Sequence, residues 1–169
     1  MEVLWSEKHT PETFEALTFH PEVNQLLARL AASPELPHLV LYGPDGAGKR
    51  TRVACLLHRL YDGRARTRRE AWSTKHNGAL IELTLRVGPH HTELTPSDAE
   101  NNDRIALNKL IKETADSASL QPPGGPGFVC FVLHDAENMS LGAQAALRRT
   151  LEKHSATVRL VLLCESVGR

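Results

Sequence analysis

Seven residues, Gly43 to Lys49 (GPDGAGK), have the types and spacing to wrap an anion. Gly43, Gly46 and Gly48 let the backbone take conformations that a Cβ forbids, so successive N–H groups converge on one phosphate. Pro44, Asp45 and Ala47 complete the loop, and Lys49 adds a full charge near the β- and γ-phosphates of a nucleotide. One position breaks the pattern. After the lysine such loops carry Ser or Thr, whose hydroxyl binds Mg²⁺. Here Arg50 stands there, and a guanidinium has no acceptor atom with which to hold a metal. Thr51 lies one residue on, about 100° around a helix, and is a poor replacement. The pattern predicts a nucleotide site over Gly43 to Thr51, with Mg²⁺ disfavoured.

A phosphate loop needs a strand before it and a helix N-terminus after it. His38 to Tyr42 is a short apolar run bounded by Pro37 and Gly43, which reads as a buried strand. Val53, Ala54, Leu56, Leu57 and Leu60 then recur with helical spacing. Both flanking elements are present. A glycine turn with no ligand is the competing reading, and the lysine in this context argues against it.

The rest of the composition narrows the class. Twenty basic and twenty acidic side chains cancel, so any nucleic-acid contact must be local. The nine histidines show no metal-ligand spacing, and His90–His91 beside Gly88–Pro89 reads as a loop. Cys55, Cys130 and Cys164 are odd in number, lack a CxxC pair and sit in apolar segments; they read as reduced core thiols of an intracellular protein. There is no signal peptide and no apolar run near 18 residues, which predicts no membrane span. With 41% hydrophobic residues, 169 residues suffice for one α/β domain, assigned to residues 1–169.

Along the chain, residues 1–20 form an irregular, aromatic-bearing lead-in. Pro21 to Ala32 predicts a helix with Val23, Leu26, Leu27 and Leu30 inward. The arginine-rich run Asp62 to Glu70 reads as a solvated loop, with a partner or nucleic-acid contact as the alternative. Ala79 to Val87 and Thr92 to Leu94 alternate around a Gly88–Pro89 turn, as strands of a hairpin do. Asp103 to Thr114 predicts a helix carrying Ile105, Leu107, Leu110 and Ile111, with Asn101, Asn102 and Asp103 as capping candidates. Gln121 to Gly127 reads as a connector. Phe128 to Leu133 is wholly apolar, so it predicts a central parallel strand, and it ends in HDAEN, His134 to Asn138. Ser140 caps a helix through Lys153, and Val158 to Cys164 is a second apolar strand. Strands alternating with helices predict a three-layer parallel sheet with its ligand at the carboxyl ends of the strands.

LWSEKHTP at Leu4 to Pro11, PHLVLYGPDGAGKRT at Pro37 to Thr51, NNDRI at Asn101 to Ile105 and AQAALRRTLEKHS at Ala143 to Ser155 together resemble replication factor C. This is the eukaryotic clamp loader, an AAA+ heteropentamer, and the likeness is narrower to its small subunit with a decayed ATP site, the counterpart of bacterial delta-prime. The resemblance runs from Trp5 to about Val167. It implies an AAA+ P-loop core, with the family's helical lid and collar domains lying outside these residues and the chain an amino-terminal part of a longer subunit. It implies a nuclear location, and as partners the sister subunits, a sliding clamp and primer-template DNA. Trp5 falls near the adenine, Asn102 and Arg104 on DNA, and Gln144 and Arg148 toward the neighbouring subunit. In hydrolysing relatives the strand before HDAEN ends in Asp-Glu-Ala-Asp; His134 and Asp135 occupy the first two positions here, and Glu165 replaces the sensor Asn.

The resemblance therefore implies a subunit that binds adenine nucleotide, ATP or ADP, without hydrolysing it and helps load a clamp onto DNA. Two readings compete. A hydrolysing subunit of the same loader needs His134 or Asp135 to stand in for the lost carboxylates. A P-loop kinase needs a lid over its acceptor, for which residues 62–70 are the only arginine-bearing candidate.

Overall fold

The computed structural model describes residues 4–5, 9–33, 35–63, 65–117 and 127–167. The connector expected at Gln121 to Gly127 lies outside them apart from Gly127. Six strands form one sheet in the order β1-β6-β5-β4-β3-β2. They are β1 (Leu39–Tyr42), β2 (Arg68–His76), β3 (Ala79–Val87), β4 (His91–Leu94), β5 (Val129–Leu133) and β6 (Val158–Cys164). β1, β6, β5 and β4 run parallel, as the apolar runs predict. β5 is buried at every residue, because helices cover both faces of the sheet beside it.

One layer is α1 (Pro21–Ala32) with α2 (Lys49–Leu60), packing Leu27, Val53, Leu56 and Leu57 on Cys130, Val132, Val161 and Leu163. The opposite layer is α3 (Asp103–Ser117) with α4 (Leu141–His154), packing Leu107, Leu110, Ile111 and Leu147 on Phe131, Leu133 and Leu160. The three-layer α/β architecture is the one expected. Ser140 caps α4 by accepting the amide of Ala143 at 3.1 Å. The three cysteines are buried free thiols, and no helix among the described residues is long and apolar enough to cross a membrane.

Several expectations change. The sheet is mixed rather than wholly parallel: β3 and β4 form the expected hairpin, antiparallel because a connection as short as Gly88 to His90 allows no crossover, and β2 adds a second antiparallel pair. The arginine-rich stretch is only partly loop. From Arg68 onward it becomes β2, a strand that alternation did not reveal because both faces carry charges; Lys109 and Glu113 of α3 pin it by hydrogen bonds to Thr74 and to the Trp72 indole. β1 is an edge strand, and Val40 and Tyr42 stay exposed; Val40 borders an open groove whose other wall is α4. Finally, α1 turns Asn24 and Leu27 inward and leaves Val23 and Leu26 exposed. On that buried face the Asn24 oxygen accepts from Arg52 Nε of α2 at 3.0 Å.

His90 closes the expected loop, and His91 opens β4. Both rings are buried and stack on Tyr61, whose hydroxyl donates to the His90 carbonyl at 3.0 Å. The His91 ring lies where a Cβ on Gly88 would stand, at 2.3 Å, so only glycine fits there.

Candidate nucleotide site

The loop 43–48 leaves the carboxyl end of β1 and enters α2 (Lys49–Leu60) at its N-terminus. Gly46 and Gly48 hold φ of 76° and 79°, a region that penalises any Cβ. Gly43 donates its amide to the Cys164 carbonyl, which seats the loop between β1 and β6. The Lys49 ammonium donates to the Gly43 and Pro44 carbonyls at 2.5 and 3.1 Å, and the Asp45 carboxylate is 4.0 Å away. The lysine is thus held inside the curve of its own loop, where a phosphate would meet it.

The residues that depart from the usual pattern gather at the same end of the sheet. Arg50, in the metal-ligand position, lies 3.7 Å from the carboxylate of Asp135 at the end of β5. Both side chains are largely exposed, so the pair contributes at most about 1 kcal/mol to stability. Asp135 adopts φ 51°, a left-handed conformation that Asp tolerates better than most residues. His134 points elsewhere: its Nε2 is 3.0 Å from Glu93 Oε2 on β4, and His91 Nε2 is 3.8 Å from Glu93 Oε1. Glu165 follows β6, and its carboxyl is raised above the usual range, first by a hydrogen bond and repulsion from Asp45 and then by slight burial and Glu137. Asp45, Asp135 and Glu165 therefore gather at the loop mouth, with Lys49 4.0 Å from Asp45 and Arg50 3.7 Å from Asp135. No group of three metal-ligating side chains exists among the described residues.

Beside the loop, a groove of about 410 Å³ runs between Gly46–Gly48, Thr51 and Arg52 on one side and Pro11 and Ala16–His20 on the other. That volume falls in the range of small-molecule sites. Trp5 does not line it; its ring is exposed and packs on His9. The groove's back wall is Arg52, only 6% exposed, which donates to Asn24 Oδ1 at 3.0 Å, the Ala47 carbonyl at 2.8 Å and the Phe19 carbonyl at 2.8 Å. Sequence reasoning missed Arg52, Asn24 and Glu93. The available signal was a cation next to Val53 in a helix stripe, and an Asn inside the Val23–Leu27 stripe.

The other predicted residues lie away from the loop mouth. Asp103 is buried and accepts from Ser140 N at 2.7 Å, Ser140 Oγ at 2.8 Å and the Arg104 amide at 2.6 Å. It joins the starts of α3 and α4. Arg104 remains exposed and Asn102 half-buried beside it. Gln144 donates to the Met139 carbonyl at 3.1 Å, and the α3–α4 link further along is Thr150 to Asn108 at 2.9 Å. The Arg148 side chain is 85% exposed, 3.6 Å from Glu152.

The Glu93 cluster makes the fold sensitive to acid. Burial pushes His91 well below its ordinary protonation range, the Glu93 charge opposing this only in part, and burial does the same to His38. The unfolded chain, titrating near about pH 6.5, takes up protons that the folded one refuses, so stability falls below that pH. Glu93 adds the same sign: burial alone would raise its carboxyl, but His134, His91 and Arg86 outweigh it and hold it low. Its contribution is present above about pH 4.3 and is lost as pH falls through its folded value. The thermal midpoint, followed by circular dichroism, is expected to drop between about pH 7 and about pH 5, with His91→Gln flattening that slope.

No protein-family model matches the chain. Among curated proteins it is 37% identical over 172 residues to replication factor C subunit 5 of Oryza sativa, an alignment covering 99% of this chain and 49% of that protein. It is 37% identical over 174 residues to subunit 5 of Saccharomyces cerevisiae, covering 98% and 49%. Against subunit 3 of Homo sapiens the identity is 36% over 168 residues, covering 98% and 47%. The chain spans about half the length of the curated relatives it matches.

Proposed function

We propose, from the premise that this chain is a homologue of the replication factor C small subunits over nearly its whole length, that it is a clamp-loader subunit which binds adenine nucleotide and does not hydrolyse it. The observation that carries the proposal is the Arg50–Asp135 pair. Phosphoryl transfer is catalysed by positioning and by Mg²⁺ bridging the β- and γ-oxygens. Arg50 puts a guanidinium on the residue where a hydroxyl would hold that metal, and its side chain lies 3.7 Å from Asp135, just past the end of β5. Asp135 is a methylene shorter than the glutamate it replaces, and about 1 Å of misplacement can cost on the order of 100-fold. His134 is turned to Glu93 instead of toward the loop. Binding rests on parts that survive: the glycine turn, the α2 N-terminus, Lys49 and the adjoining groove. The reading gives the base and ribose to that groove, with Trp5 outside it.

In this reading residues 1–169 are one AAA+ domain of a longer subunit, acting with sister subunits in the nucleus to load a sliding clamp onto primer-template DNA. Arg104 and Asn102 offer an exposed cation and amide to a DNA phosphate; the Arg104 amide itself is already committed to Asp103. Arg148, free of the groove and exposed, is available to a neighbouring subunit's nucleotide.

The test is Asp135→Ala in a reconstituted loader. Clamp-loading ATP turnover is expected to stay within about twofold of the parent, since a shift of that size is under 0.5 kcal/mol. A tenfold fall would make the site a working ATPase and favour the hydrolysing reading.

A further inference from the structure

We propose that Arg52 couples nucleotide occupancy of the loop to the order of the amino-terminal segment Phe14–His20. The inference rests on the reading that the loop binds adenine nucleotide. Arg52 is a buried cation, and no carboxylate lies within 4.0 Å of its guanidinium among the described residues. Its partners are three neutral oxygens, on Ala47, Phe19 and Asn24. These satisfy donors without balancing the charge, and an unbalanced buried charge is unfavourable unless an anion comes near.

The three partners belong to different parts of the groove. Ala47 is in the phosphate loop; Phe19 is in the opposite wall; Asn24 is on α1 and itself donates to the Leu17 and Phe19 carbonyls at 3.4 and 3.0 Å. One side chain thus joins the loop to the wall facing it. A guanidinium has five N–H donors, so two remain for a ligand in the groove it lines. The site is also cut to this side chain: a Cβ on Gly48 would meet Arg52 Nη1 at 2.8 Å. An anion at the loop offsets the unbalanced charge and strengthens the hold on Phe19. By linkage, an ordered Phe14–His20 segment tightens the anion in turn. Arg52 is a positioning residue in this scheme.

The experiment uses the full chain with ADP as probe, reading affinity by calorimetry and amide exchange over Phe14–His20 with and without ADP. In the parent, ADP is expected to slow exchange in that segment. Arg52→Gln is expected to bind ADP at least about tenfold more weakly and to show no protection at saturation. Arg52→Lys keeps the charge but loses the fork, so it should recover affinity without recovering protection. Asn24→Ala, which leaves the guanidinium in place, should bind ADP within about threefold and lose the protection; it keeps the test decisive if Arg52→Gln fails to fold. Parent-like protection in Arg52→Gln or in Asn24→Ala overturns the coupling while leaving the nucleotide reading intact. Failure of the parent chain to bind ADP at all overturns that reading first.

Discussion

Lys49→Ala is expected to weaken adenine-nucleotide binding by roughly 100-fold, measured by calorimetry with ADP, while the thermal midpoint moves little. The magnitude follows from the chemistry of the contact. A hydrogen bond from an ammonium to a phosphate oxygen contributes about 1.5–3 kcal/mol net, and each 1.4 kcal/mol is tenfold in affinity. Lys49 is positioned for that contact by the helix it starts and by the Gly43 and Pro44 carbonyls that hold its ammonium within the loop. A phosphate entering the loop competes for the same ammonium, and the charge-assisted bond is the stronger. The surviving affinity in the variant measures what the loop amides and the groove supply without the lysine. A loss below about threefold would mean that the phosphates do not sit in this loop, and the proposed function would fall with it.

Asp103→Ala is expected to be the most destabilising single change outside the apolar core, at about 3–5 kcal/mol. Hydrogen bonds to a charged group contribute about 1.5–3 kcal/mol each, and the partners left behind become unsatisfied. The carboxylate is buried and accepts three of them, two from Ser140 and one from the Arg104 amide. Ser140 is also the cap of α4, so the loss loosens two helix starts together. In a chain of this size the midpoint should fall by roughly 6–20 °C. Asp103→Asn, which keeps the shape but offers one acceptor oxygen, should recover about half of the loss. An Asp103→Ala midpoint within about 2 °C of the parent would show that Ser140 and Arg104 are held by other groups.

The two changes differ in how far the sequence alone foretold them. Lys49 was legible because a phosphate loop is a local device. Its glycines, its lysine and its flanking strand and helix lie within some twenty residues, and each type is dictated by backbone geometry or by charge. The same holds for β5, β6 and the Ser140 cap, where apolar runs and a single hydroxyl state their roles in place. The identity of Arg50, His134, Asp135 and Glu165 was equally plain, as was the loss of ordinary metal ligands that those identities imply. What each of them turns to instead was not legible.

Pairings across the fold depend on which strands neighbour which. Glu93 meets His134 because β4 lies beside β5, and they are 41 residues apart in the chain. Arg50 meets Asp135 because β1 and β5 end on the same side of the sheet with only β6 between them. Arg52 meets Asn24 because α1 and α2 share one layer, with Asn24 and Leu27 on the buried face of α1. β2 is hard to read for a related reason: it is a strand because it pairs with β3 along its whole length and is tied to α3 through Thr74 and Trp72, not because its own residues alternate. The loop, the strands that are apolar throughout and the three-layer plan follow from the residues alone, through local geometry and the burial of contiguous apolar surface. The partners of the polar residues come from the packing, because a buried charge or hydrogen-bonding group is satisfied by whatever the fold brings within about 3 Å, at any distance along the chain.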